Sequence, residues 1–137
     1  MIADHVTGLA PRGELERLLD SLLGGRSPQA VAVTICDVIG LKGVNERDGF
    51  LAGDAVLRTA ADALRQAAPG ADLLARLGGD ELIAVFTGPA AADAARHAAA
   101  TLAAWTAPPL RAAATIAAVA EPPGMLIDRL YAIMRES

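Results

Sequence analysis

An α+β fold, with an antiparallel or mixed sheet covered by helices, is predicted by three observations along the chain. Leucine and alanine stretches at helical spacing alternate with short runs of β-branched residues, the two periodicities that separate amphipathic helices from buried strands. Two apolar runs flank Gly78-Gly79, as in a hairpin. Pro108-Pro109 and Pro122-Pro123 divide the C-terminal part into separate elements.

The elements follow in order. Leu15, Leu18, Leu19, Leu22 and Leu23 recur at helical spacing and stop at Gly24-Gly25, which predicts a first helix over Glu14 to Leu23. Gln29 to Val38 is rich in β-branched residues and reads as a strand. A short helix is expected over Leu41 to Arg47, and a longer one over Ala52 to Ala67 with Val56, Leu57, Ala60 and Leu64 inward. Leu73, Leu74 and Leu77 lead into the glycine turn and Leu82 to Phe86 lead out; Gly78-Gly79 is expected to supply positive φ and no side-chain bulk. Pro89 to Trp105 reads as a helix with Pro89 in its first turn. Leu110 to Val119 reads as a strand, and Met125 to Met134 as a closing helix after the Pro122-Pro123 break. The expected order is α, β, α, α, β, β, α, β, α.

At 137 residues the chain suits one domain, 1–137, with a single sizeable core. Although 53% of the residues are hydrophobic, Gly, Pro and charge interrupt them well before the roughly 20 residues of a membrane span. No membrane insertion is expected. Met1 to His5 shows no basic segment leading into an apolar signal core, so a cytoplasmic location is expected. A net charge of −4 argues against general nucleic-acid binding, which needs a phosphate-neutralising basic patch. Cys36 is the only cysteine, which excludes an intrachain disulfide and a Cys-rich zinc site.

The chemistry gathers at Arg76-Leu77-Gly78-Gly79-Asp80-Glu81-Leu82, where a glycine turn lets a ligand approach the backbone and two carboxylates stand side by side. Asp37 ends the earlier apolar run. Acidic strand ends around a glycine turn suit a hard cation.

Gly78 to Leu82 resembles the GGDEF signature of diguanylate cyclases, and two more blocks accompany it. Asp4-His5-Val6-Thr7-Gly8-Leu9-Ala10-Pro11-Arg12 is similar to the family's D-x-L-T-G-L-x-N-R, and Asp37 to Glu46 to its D-x-D-x-F-K-x-I-N-D, with Gly49, Gly53 and Asp54 continuing as in G-H-x-x-G-D. The blocks cover nearly the whole chain in the family's order. The resemblance implies a palm-like, ferredoxin-related, mostly antiparallel sheet flanked by helices. It also implies GTP as substrate, Mg²⁺ or Mn²⁺ as cofactor, and condensation of two GTP into cyclic di-GMP plus pyrophosphate by a homodimer.

Phosphodiester formation needs negative charge held throughout, and Asp37 and Asp80 are the candidate metal ligands. The resemblance adds the backbone carbonyl of Val38. Glu81, which a strand would point away from Asp80, is a candidate to assist the hydroxyl or hold a second ion. Lys42 is a candidate phosphate contact, with the Gly40 and Leu41 backbone at the start of a helix beside it. Asn45 and Asp54 together match the purine edge of guanine, and Gly78 and Gly79 leave room for the ligand. A helix or turn cap for Asn45 and a helix N-cap for Asp54 are the competing structural roles.

The match has departures. Ile39 stands at the family's second aspartate, Phe50 at its histidine, Leu82 at the final phenylalanine and Met134 at the lysine of the closing helix, with Arg135 adjacent. Pro69 replaces the arginine of the R-x-x-D product-inhibition motif, leaving only Asp72. These departures point to slow turnover, or to the alternative of a degenerate, inactive module that binds GTP or a protein partner in a regulatory role. Catalysis requires two nucleotides face to face, so a homodimer is expected, brought together by self-association or by a fused or separate sensor or partner protein.

Overall fold

The central strand β1, Val31–Val38, is buried along all eight of its residues, and the rest of the structure is arranged to cover it. In the computed structural model, residues 2–24, 30–118 and 120–136 are described. Among them the order is α1 (Arg12–Leu23), β1, α2 (Leu41–Asp48), α3 (Phe50–Ala67), β2 (Leu73–Arg76), β3 (Glu81–Thr87), α4 (Ala91–Ala103), β4 (Leu110–Ile116) and α5 (Pro123–Arg135). This is the order expected. The sheet runs β2-β3-β1-β4 with every named pair antiparallel.

Strand alternation divides the core in two. Ala32, Cys36, Leu82, Ala84 and Phe86 meet Leu57, Ala60, Leu64, Ala95, Ala98 and Leu102 of α3 and α4. Val31, Val33, Ile35, Ile83, Val85 and Ala113 meet Leu15 and Leu19 of α1 and Leu126, Leu130 and Met134 of α5. Thr34 is the polar exception on β1, and its hydroxyl donates to the Ala95 carbonyl at 2.7 Å, which satisfies a group that would otherwise be buried without a partner. Burial pushes the Cys36 thiol up to about 12, so the lone cysteine behaves as a small core residue, as expected.

Boundaries moved where backbone chemistry outweighed periodicity. α1 begins at Arg12, two residues early, after an extended Pro11. α3 begins at Phe50 rather than Ala52 because Gly49, at φ 88, joins it directly to α2. Pro89 lies before α4 instead of in its first turn, and that helix ends at Ala103. Pro122-Pro123 starts α5 instead of separating it, since a proline in the first turn lacks only an N–H that would have no helical acceptor. Gly25 and the Gln29 and Val119 ends of two expected strands lie outside the described residues.

The N-terminal segment is bound to the hairpin. Asp4 accepts from the Thr7 backbone and hydroxyl at 2.8 and 2.7 Å and from Arg76 Nη1 at 3.2 and 3.3 Å. Burial works against the charged Asp4, but the bonds from Thr7 and the charge of Arg76 together hold its carboxyl below the ordinary value. A carboxyl depressed on folding stabilises the fold above its unfolded value and loses that contribution as pH falls through the folded one. Acid unfolding followed by circular dichroism is therefore expected to show a shallower loss of stability below pH 3.8 in Asp4→Asn than in the parent; identical acid limbs would contradict it.

Candidate functional site

Two groups of side chains occupy the end of the sheet where β1 finishes and β3 and β4 begin. The first is set by register: Asp37 pairs across with Glu81 on one side and Arg111 on the other. Cross-strand partners share a face, so these three side chains lie together on the face covered by α1 and α5. Asp37 is buried and takes a two-pronged bond from Arg111, Nε to Oδ1 at 3.1 Å and Nη2 to Oδ2 at 2.7 Å. That hydrogen bond, reinforced by the carboxylate's charge, raises the Arg111 guanidinium above its ordinary value. Glu81 accepts from the Tyr131 hydroxyl of α5 at 2.7 Å and from the Asp80 backbone N–H at 3.3 Å. Burial first, and then the Glu81 carboxylate, push the Tyr131 phenol up to about 12.

The second group lines a cleft of about 350 Å³ on the other side: Leu41, Lys42, Asn45, Phe50, Asp54, Leu57, Arg76, Gly79 and Asp80. Gly40, at φ 80, turns the chain from β1 into α2, so Lys42 and Asn45 reach the cleft a few residues after Asp37. Asn45 is seated by a missing side chain, because a Cβ on Gly53 would stand 1.7 Å from its Oδ1. Neither competing cap role is adopted: Asn45 lies within α2, and Asp54 lies inside α3, whose N-cap is Gly49. Lys42 and Asp80 make no side-chain hydrogen bond or ion pair among the described residues.

The glycine turn is held differently from expectation. Among the described residues the positive-φ glycines are Gly8, Gly40, Gly49 and Gly88, and Gly78 and Gly79 are not among them. Space is what Gly78 provides, since a Cβ there would come within 2.4 Å of Glu81 Oε1. Arg76 clamps the turn, with Nε to the Gly78 carbonyl at 3.2 Å and Nη2 to the Gly79 carbonyl at 2.7 Å.

The candidate set is thus brought together in part. Lys42, Leu41, Asn45, Asp54, Gly79 and Asp80 line one cleft; Asp37 faces Glu81 rather than sharing that cleft with Asp80. Oxygen donors of the type a hard divalent ion prefers meet at Asp37 and Glu81, with the Val38 carbonyl adjoining in sequence. No group of three or more His, Cys, Asp or Glu converges as a metal site among the described residues; the Asp37 oxygens are taken up by Arg111. Arg111 and Tyr131 were missed from the sequence. Arg12 bonds Glu16 of its own helix at 2.8 Å, and Met134 is buried in the α1 and α5 side of the core. Asp72 accepts from the Thr87 backbone and hydroxyl at 2.8 and 2.9 Å, closing the edge of the hairpin.

This fold is that of GGDEF domains. The GGDEF domain of DgcB from Caulobacter crescentus, solved with c-di-GMP, superimposes with a TM-score of 0.82 at 20% identity, over 98% of this chain and 88% of that one. The family profile described as diguanylate cyclase, GGDEF domain matches residues 1–118, and the chain belongs to that family. An uncharacterized protein of Mycobacterium tuberculosis is 39% identical over 97 residues, 69% of this chain and 16% of the relative. The probable diguanylate cyclase DgcE of Escherichia coli is 40% identical over 80 residues, 57% of this chain and 7% of the relative. The chain therefore spans only a small part of the curated relatives it matches. No helix among the described residues is long and apolar enough to cross a membrane.

Two outcomes follow from the packing. Tyr131 is the only tyrosine, so phenolate absorbance reads it alone: a midpoint near 12 is expected, moving down toward 10 in Glu81→Gln while the part due to burial persists. A raised phenol contributes stability below its unfolded value and loses it as pH rises through the folded one. In Gly53→Ala the amide resonances of Asn45, the chain's one asparagine, are expected to shift in nitrogen-proton spectra while stability changes by no more than about 1 kcal/mol. An unmoved amide pair would refute the seating.

Proposed function

We propose that the chain binds GTP with a divalent metal and, as a homodimer, condenses two GTP into cyclic di-GMP with slow turnover. The supporting observation is the cleft of about 350 Å³ in which Lys42, Asn45, Asp54 and Asp80 converge over Leu41 and Leu57. The leucines offer an apolar wall to a purine. Asn45 and Asp54 offer an amide and a carboxylate to its edge, and a carboxylate accepts from the N1–H and exocyclic amine of guanine, a pair that adenine lacks. Lys42, exposed and without a side-chain hydrogen bond or ion pair among the described residues, is the proposed phosphate contact, with the Gly40 and Leu41 backbone beside it.

In each half-reaction a 3′-hydroxyl oxygen bonds to the α-phosphorus of the other GTP, the bond from that phosphorus to the bridging oxygen breaks, and pyrophosphate leaves. Asp80 and Glu81 are the candidate acceptors of the hydroxyl proton. Mg²⁺ or Mn²⁺, held by Asp37, the Val38 carbonyl and, in place of the expected Asp80, the Glu81 that strand register sets beside Asp37, would neutralise phosphate charge and ease ionisation of the hydroxyl. Each protomer presents one nucleotide, so two must face each other.

One observation favours a second reading. A guanidinium already pairs with Asp37, as in a module that has given up its metal and acts by binding GTP or a protein. Incubating concentrated protein with GTP and Mg²⁺ or Mn²⁺, with chromatography and mass detection, separates the two. Cyclic di-GMP is expected, absent in Asp80→Ala and rising more steeply than linearly with protein concentration. GTP binding without product at any concentration would establish the inactive module.

A further inference from the structure

The Asp37–Arg111 pair holds one feature that the reaction does not account for. The Asp37 side chain is 7% exposed but the Arg111 side chain is 45% exposed, so the acid is fixed in the sheet while the base sits at the surface. Arg111 enters from β4, across the strand from Asp37 and on the same face as Glu81. Among the described residues Arg111 makes no other side-chain hydrogen bond. A long cationic side chain with one anchor and nearly half its surface in water can leave when another cation takes its place beside the buried carboxylate, whereas Asp37 is held in the strand. Arginine also forms the same two-pronged bond to a phosphate as to a carboxylate.

We propose that Arg111 is a substrate-binding residue that is parked on Asp37 in the free protein, yields that carboxylate to an incoming divalent cation, and then pairs with the polyphosphate of the nucleotide. This rests on the reading of the site as one for a metal-bound nucleotide, and deepens it. Two cations and one carboxylate would otherwise compete in the same few ångströms. A polyphosphate resolves the competition by giving the displaced guanidinium an anion of its own. Arg111 then sets opposite signs on two affinities, opposing the metal alone and supporting the metal with its polyphosphate.

The test uses the whole chain, Arg111→Met and Arg111→Lys, with folding verified by circular dichroism. Binding of Mn²⁺ alone is read from the loss of the free-ion paramagnetic signal. Binding of Mn²⁺ with GTP, and of Mn²⁺ with inorganic tripolyphosphate, is read by calorimetry. Arg111→Met is expected to bind Mn²⁺ alone at least about tenfold more tightly than the parent, and Mn²⁺-tripolyphosphate at least about tenfold more weakly. Arg111→Lys, which keeps the charge without the fork, is expected to recover part of the polyphosphate affinity. Unchanged, weaker or absent Mn²⁺ binding in folded Arg111→Met would overturn the parking on a metal ligand. A gain for Mn²⁺ without the loss for tripolyphosphate would overturn the phosphate contact. If both shifts occur but GTP binds no better than tripolyphosphate, Arg111 keeps its role and the guanine reading of the cleft fails.

Discussion

Everything in this structure answers to the burial of β1. A strand whose eight side chains are all out of water needs partners on both edges for its backbone and a helical layer on each face for its side chains. β3 and β4 supply the edges, α3 and α4 one layer, and α1 and α5 the other. Fixing β1 in this way also fixes its last residues. The register that places Ile35 against Ile83 and Ala113 places Asp37 against Glu81 and Arg111, so the arrangement of charge at the strand end is a by-product of core packing. A one-residue slip would turn Asp37 to the opposite face and break the grouping.

The hairpin depends on a second constraint, the guanidinium of Arg76. It joins the Gly78 and Gly79 carbonyls to Asp4, while Asp4 orders Thr7 and the Thr7 carbonyl takes a bond from Arg65 of α3 at 2.7 Å. Turn, N-terminal segment and third helix are therefore one polar network. Charge-assisted bonds to backbone carbonyls hold a glycine turn that has little of its own to pack. The aspartate and threonine of the N-terminal block act on the site at a distance, through this network, without lining the cleft.

Much of this was legible in the sequence. The order of the described elements followed from leucine spacing, β-branched runs and, for the alanine-rich α4 and β4, the proline breaks around them. The cleft followed from the motif blocks, whose residues converge as Lys42, Asn45, Asp54 and Asp80. What was not legible was long-range or terminal. Arg111 and Tyr131 lie 74 and 50 residues from the acids they bond, and only strand register and helix docking reveal such pairs; alternation along β4 places Arg111 on the face of Ala113, but nothing local says what stands opposite. Of the two things expected of Gly78, positive φ and absence of bulk, only the second holds, and the neighbour that uses the space is a side chain three residues on. Helix starts shifted where proline and glycine backbone preferences overrode the hydrophobic stripe.

The short parallel bridge of Ala10 to Ala75 bears on a hazard common to open sheets. β2 is a terminal strand of the sheet, and a bare strand edge is a template for another chain. The Ala10 N–H donates to the Leu74 carbonyl at 3.0 Å and the Arg76 N–H to the Ala10 carbonyl at 2.9 Å. The leading segment therefore acts as a built-in guard against edge-to-edge aggregation. Proteolytic loss of that segment would expose a hydrogen-bonding seam beside the Gly78-Gly79 turn.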